Sequence, residues 1–227
     1  MNNKKTYVRA ELAVLCFEQN DIITTSGGGM LVSRNEEDTK KAVLFATQAR
    51  DVAPHYQHTQ IGYNYRMSNI VAGIGRGQLI HLDEHVALKR VIYEQYKEAF
   101  SDIADITMNP MNPDGEANCW LSCVTISKDC KVTPNQIMDA LAEENIESRP
   151  IWKPMHLQPI YADCDFFTKD GLCTTEKDCG VGVGDIVNPD SVGADIFNRG
   201  VCLPSDIKNT KEDMDKIIGI IRGLFEA

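Results

Sequence analysis

Long apolar runs are missing from this sequence. None approaches the ~20 residues needed to cross a bilayer, and Met1-Asn2-Asn3-Lys4-Lys5 leads into Thr6 and Tyr7, with Arg9 just beyond, in place of an apolar signal core. Both absences point to a cytoplasmic protein. Positive charge is scarce: 23 Lys and Arg stand against 33 Asp and Glu, for a formal charge of -10. That balance repels polyphosphate chains and anionic membrane surfaces, which argues against nucleic acid and membrane as partners. CxxC pairs are also absent, although there are eight cysteines. Cys119 and Cys123 fall in an expected strand, where residues four apart share a face but stand roughly 13 Å from each other, too far to share one ion. Cys164, Cys173 and Cys179 share a polar, Gly-containing stretch, but their gaps depart from the usual zinc spacings. No metal site is expected, and free thiols are the simpler reading.

What is present is an ordinary globular composition, 43% hydrophobic and 25% charged over 227 residues, enough for one large domain or two small ones. Glu11 to Cys16 is apolar in its middle and reads as a buried strand, followed by a hairpin-like return through Gly27-Gly28-Gly29 to Met30-Leu31-Val32. Ala42, Phe45, Ala46 and Ala49 recur at helical spacing behind Glu36, Glu37 and Asp38, a surface helix with acids at its positive end. Asp51 to Tyr65 has no apolar period and reads as a loop. Ser68 can cap a helix with a stripe of Ile70, Val71, Ile74, Leu79 and Leu82. Gly73, Gly75 and Gly77 weaken that helix and suggest another backbone packed closely there. The helical pattern continues, with a break, through Val86, Val91 and Tyr96 to Phe100.

After Pro110 and Pro113 the character changes to short strands and helices, and a boundary at 105/106 divides the chain into two domains, 1–105 and 106–227. Cys119 to Ile126 and Ile146 to Ile151 read as strands. Thr133-Pro134-Asn135-Gln136 is a capping box with proline at the first helical position. Gly200 closes a short helix carrying Ile196 and Phe197, and Val201 to Leu203 is a brief strand. Thr210 to Asp213 can cap a last helix with Met214, Ile217, Ile218, Ile221, Leu224 and Phe225 at spacings of three and four. Strands Cys119–Ile126 and Val201–Leu203 are expected in one sheet, with that helix packed on it.

Four stretches carry a resemblance: Asn20-Asp21-Ile22-Ile23-Thr24-Thr25-Ser26-Gly27-Gly28-Gly29-Met30, Gly62-Tyr63-Asn64-Tyr65-Arg66-Met67-Ser68, Arg149-Pro150-Ile151-Trp152-Lys153-Pro154-Met155-His156-Leu157-Gln158-Pro159, and Arg199-Gly200-Val201-Cys202-Leu203-Pro204-Ser205. In this order and spacing the chain resembles the DegT/DnrJ/StrS family of pyridoxal-phosphate (PLP) dependent sugar aminotransferases. The likeness runs from about residue 11 to the carboxyl end, apart from an unfamiliar stretch between Ala162 and Pro189. The resemblance implies an α/β to α+β fold of the aspartate-aminotransferase type (fold type I), with part of the large PLP-binding domain and the small carboxyl-terminal domain. It implies glutamate-dependent amination of a nucleotide-linked 4-ketosugar in glycan or polysaccharide biosynthesis, most like the members acting on UDP-deoxysugars, with PLP as cofactor. A homodimer, or a dimer with a paralogue, is implied as well.

Family members read Ser-Phe-x-x-Asn-Lys before the glycine-rich turn, with serine on the cofactor phosphate and lysine in the Schiff base. This chain reads Cys16-Phe17-Glu18-Gln19-Asn20-Asp21. Asp21 is an acid that forms no imine, and Cys16 offers a weak thiol donor. The family's long amino-terminal half, which supplies a ring-stacking aromatic, an acid for the pyridine nitrogen and a backbone phosphate cradle, does not precede this point. The resemblance therefore implies a carboxyl-terminal part impaired in transamination, with three outcomes open: a family aminotransferase by descent, an inactive remnant or partner of a complete paralogue, or a lysine-independent PLP enzyme such as a sugar dehydratase. Asn64 matches the asparagine that reaches a neighbour's cofactor phosphate, with Arg66 beside it; apart from the resemblance both read as a solvated loop. Trp152, Lys153 and His156 match the segment lining the sugar-nucleotide pocket, where histidine can bond a carboxylate or hydroxyl and lysine a diphosphate. Without it, Trp152 reads as core and Lys153 as a surface charge. Gly27, Gly28 and Gly29 suit an anion nest or, more simply, a tight turn.

Overall fold

The computed structural model describes residues 10–18, 20–161, 164, 166–168, 171–173 and 191–226. They form two compact units. One runs up to residue 87 and takes in Pro113–Glu116; the other comprises Leu88–Asn112 and the chain from Ala117 onward.

In the first unit β1 (Leu12–Cys16) pairs antiparallel with β2 (Gly29–Ser33), in register from Leu12↔Ser33 to Cys16↔Gly29. This is the expected hairpin, but β1 is not buried: Val14 is 77% and Leu12 52% exposed. The ribbon has two strands only, so each is an edge, and neither of its faces is fully covered among the described residues. Helix α1 (Glu36–Ala46) starts at Asn35, whose side chain accepts from Glu37 N, and carries its three acids in the first turn. Helix α2 (Asn69–Leu79) starts at Ser68, whose Oγ accepts from Val71 N at 3.3 Å. Its apolar stripe is open at Ile70, Ile74 and Leu79. The three glycines of α2 do not mark a close backbone: a Cβ on Gly73 or Gly77 would meet nothing within 4 Å, and one on Gly75 would meet only the Thr25 side-chain methyl, at 2.9 Å.

After a break at Ile80-His81, α3 (Leu82–Ala99) crosses from one unit's residues to the other's. The division falls inside this helix because its second half supplies core. The inward residues are Ile92, Tyr93 and Tyr96, joined by Phe100, while Val91 is 53% exposed; the expected stripe was one position off at Val91.

The second unit is built on strands β3 (Ile106–Met108), β4 (Cys123–Ile126), β5 (Arg149–Pro150) and, after the small hairpin of β6 (Phe166–Thr168) with β7 (Gly171–Cys173), β8 (Gly200–Cys202). The sheet order is β3-β4-β8-β5, antiparallel throughout. Two expected strands are shorter than the sequence suggested. Cys119 has a φ of 52°, a left-handed turn residue, so pairing begins only at Cys123 and the straight-strand separation of Cys119 from Cys123 does not apply. Ile146 bonds back to Leu141 O in closing the preceding helix, which leaves only Arg149–Pro150 to pair.

Helix α4 (Pro134–Glu143) has the full reciprocal capping box of Thr133 with Gln136. Helix α5 (Val192–Arg199) ends at Gly200, where a Cβ would come within 2.5 Å of Ile196 O. Helix α6 (Lys211–Glu226) is opened by Thr210 N and Oγ1, both donating to Asp213 Oδ2 at 2.8 Å. One core holds the unit together: Val124, Ile126, Val201 and Leu203 from the sheet meet Tyr96, Phe100, Ile137, Leu141, Met214, Ile217 and Ile221 from the helices. The expected union of the two strands with the last helix is present. Among the described residues no helix is long and apolar enough to cross a membrane.

A bidentate ion pair lies within α5, and its two members tie the helix to the sheet: Arg199 Nη1 donates to Ile126 O at the end of β4, and Asp195 pairs with Lys128. Arg199 donates to both oxygens of Asp195, at 3.0 and 2.6 Å, with Lys128 at 3.3 Å, and these contacts hold the Asp195 carboxyl at about 2, below its ordinary 3.8. A carboxylate with a depressed folded pKa contributes stability that is present above the unfolded value and is lost as pH falls through the folded one. Melting curves of the chain and of Asp195→Asn are therefore expected to differ above pH 3.8 and to converge as the pH nears about 2. A pH-independent gap would place the effect in packing instead.

Candidate functional site

The turn joining β1 to β2 is closed by Phe17 N to Gly28 O (3.1 Å) and Thr25 N to Phe17 O (3.0 Å). Cys16 is exposed at the end of β1 opposite Gly29, whose Cβ, were there one, would stand 2.7 Å from Leu15 O. Gly28 has a φ of 109°, and Thr25, 2% exposed, donates its hydroxyl to Gly27 O at 2.6 Å. These contacts give the glycines the work of a tight turn. Asp21 is turned back on the same segment: Asp21 N donates to Glu18 O, and Asp21 Oδ2 accepts from Glu18 N at 2.9 Å. From α3, the His85 ring contacts Ile22 O through Nδ1 at 3.1 Å and anchors the far side of the turn.

The second stretch is ordered by backbone. Tyr63 N donates to Phe45 O, Gln48 N to Tyr63 O and Tyr65 N to Ala46 O, around a bridge between Thr47 and Asn64. Gly62 is required here, since a Cβ would come within 2.3 Å of Ala49 N. Tyr63 and Tyr65 stack with centroids 4.9 Å apart, and the side chains between and beyond them, Asn64 and Arg66, are exposed. The segment was expected as a loop and is one, yet its backbone is pinned to the end of α1.

In the second unit β5 leads into Trp152, 58% exposed, whose ring lies 5.5 Å from that of Trp120. Trp152 is therefore not core. Lys153 is exposed. His156 sits on the short 3-10 turn Met155–Leu157, its Nε2 3.4 Å from Ser191 Oγ, and burial lowers its pKa. Ser191 also caps α5 by accepting from Ala194 N, and Gly193 lies against Pro154. Trp120 and Ser191 thus join the Trp152–His156 group, and sequence reasoning passed over both. Ser191 ahead of a short amphipathic run was the available signal; Trp120 carried none in its own stretch.

The predicted residues fall into two sets: Cys16, Asp21, Asn64 and Arg66 in the first unit, Trp152, Lys153 and His156 in the second. Lys40 and Lys41 of the first unit are exposed on α1, Lys40 in a pair with Glu36. In the second unit Lys89 donates to Ser205 O at 2.5 Å and burial lowers its pKa. A groove there is lined by Glu144, Glu147, Asp206, Asp213 and Lys216, an excess of carboxylate that suits no diphosphate. Among the described residues no group of three or more His, Cys, Asp or Glu is placed to hold a metal ion. Cys173 lies on β7, and Cys179 is outside the described residues.

A hairpin with a glycine turn, two helices and an antiparallel α+β unit define a chain of the PLP-dependent aminotransferase fold. It belongs to the DegT/DnrJ/EryC1/StrS aminotransferase family, whose model matches residues 1–182. The chain is 40% identical over 224 residues to Bacillus subtilis EpsN, to which a pyridoxal phosphate-dependent aminotransferase activity is attributed. That match covers 99% of this chain and 53% of EpsN. It is 30% identical over 219 residues to the GDP-perosamine synthase of Caulobacter vibrioides, covering 96% and 53%. Among solved structures, Helicobacter pylori PseC, an aminotransferase involved in the biosynthesis of pseudoaminic acid, superposes with a TM-score of 0.77 at 20% identity, over all of this chain and 56% of PseC. The chain spans about half the length of the curated relatives it matches.

Proposed function

We propose that this chain serves the amination of a nucleotide-linked 4-ketosugar as a subunit that forms no imine itself. The observation that carries the reading is Asp21: a carboxylate, held by Glu18 N at 2.9 Å, stands where the family pattern has its lysine. An imine to PLP requires an amine, and the residues present do not fit an imine-bound cofactor. Asn64 and Arg66 are exposed and their backbone is fixed, which supports a role at a two-fold interface, reaching the cofactor phosphate of a lysine-bearing paralogue. Trp152, Lys153 and His156 would face the nucleotide sugar, and glutamate is the amino donor. A homodimer of this chain is the lesser assembly, because neither half would then bring a lysine at this position. The place of action is cytoplasmic.

The test is mixing. A lysine-bearing paralogue is assayed with glutamate and a UDP-4-ketosugar, alone and with the chain, after co-elution on gel filtration has been sought. Co-elution and a changed turnover that Asn64→Ala abolishes are expected. Separate elution, with turnover indifferent to the chain, would contradict the reading.

A further inference from the structure

Cys123 on β4 and Cys202 on β8 are directly opposite each other in the sheet, with sulfurs 3.6 Å apart. The register says more than the distance. Leu203 N donates to Ser122 O at 2.9 Å, which makes Ser122 and Leu203 a hydrogen-bonded pair. Pair types alternate along an antiparallel ladder, so Cys123 and Cys202 form the next, non-hydrogen-bonded pair, the kind whose Cα atoms approach to about 4.5 Å and whose side chains are closest. That spacing lies within the range a disulfide spans, about 4.4–6.8 Å. Both thiols are on the sheet face opposite Val124 and Val201, which fill the core, so joining them displaces no core residue.

We propose that Cys123 and Cys202 are a redox pair that closes to a disulfide across the two central strands under a hydroperoxide. The two thiols are unlike. Cys123 donates its hydrogen to Cys202, which lowers the pKa of Cys202 and raises that of Cys123; burial raises Cys123 further. Cys202, 7% exposed, is within reach of a small oxidant only and supplies the thiolate. Its sulfur attacks one peroxide oxygen, the O–O bond breaks, and hydroxide leaves and takes up a proton as water. The Cys123 sulfur then attacks the sulfenic sulfur, the S–O bond breaks, and the leaving hydroxide carries off the Cys123 proton as a second water. Two thiols are oxidised and one peroxide is reduced. The product ties residues 79 apart in the chain, fixing β4 to β8 and with them the start of the Pro204-Ser205 loop.

The experiment treats the 227-residue chain with hydrogen peroxide, alkylates the remaining thiols, and maps the peptides by mass spectrometry, with melting curves before and after. A Cys123–Cys202 cross-linked peptide is expected as the main product, reversed by dithiothreitol, with a rise in Tm of roughly 5–10 °C. Cys123→Ser and Cys202→Ser should each lose both effects, whereas Cys119→Ser should keep them. Oxidation that halts at sulfinic acid on Cys202, or disulfides that pair other cysteines, would overturn the proposal. Should the serine variants fail to fold, the peptide map of the unaltered chain decides by itself.

Discussion

Neither the chain alone nor its Asp21→Lys variant is expected to aminate a UDP-4-ketosugar from glutamate. Relative to a lysine-bearing relative the loss should reach at least about 10⁴-fold, because one residue is both nucleophile and proton carrier in this chemistry. The wild-type chain has a carboxylate at position 21, and that carboxylate is already engaged with Glu18 N. Restoring the amine does not restore its surroundings. Cys16 remains a weak donor where the family pattern has a serine, and the side chain at 21 leaves a turn tied through Glu18, Phe17 and Thr25. Asp21→Lys is instead expected to yield a weak PLP adduct trapped by borohydride. Robust turnover by the unaltered chain, measured as ketosugar consumed against glutamate consumed, would overturn this account.

Tyr96→Ala is expected to remove about 3–5 kcal/mol of stability, enough to unfold the second unit at ordinary temperatures. Tyr96 is fully buried on α3, its ring is 5.9 Å from Phe100, and its hydroxyl donates to Pro204 O at 2.8 Å. Truncation leaves a cavity in the only core that α3, α4, α6 and the sheet share among the described residues. It also strips the partly buried Pro204 carbonyl of its donor. Tyr96→Phe keeps the ring and loses only the hydrogen bond, for about 1 kcal/mol. Urea titrations of the two variants separate the contributions; equal losses would show that the hydroxyl, not the packing, holds the loop after β8.

The elements most legible in the sequence were those whose own residues decide their ends. Thr133 with Gln136, Ser68 ahead of α2, and Thr210 with Asp213 are local devices, and each sits at the helix start it announced. What the sequence hid depends on distant partners. The exposure of β1 follows from its pairing with β2 alone, which no alternation of Leu12 to Cys16 can reveal. The strand at Cys119 fails because that residue takes a left-handed turn, and the strand at Ile146 fails because Ile146 is spent on closing α4. The glycines of α2 show the converse error. Their low helix propensity suggests close backbone packing, yet two of the three face open space. At the candidate site, motif positions could be numbered from the sequence, but the contact of His156 with Ser191 joins residues 35 apart, and that of Trp120 with Trp152 joins a motif residue to one outside every motif.

The claim that no imine forms at position 21 is tested most directly by light absorption. The purified chain is mixed with PLP, desalted, and scanned through the visible region, then reduced with borohydride and weighed by mass spectrometry. The account predicts free cofactor that washes away and an unchanged mass. A visible band that survives desalting, with a PLP mass fixed to a lysine of this chain after reduction, would contradict it.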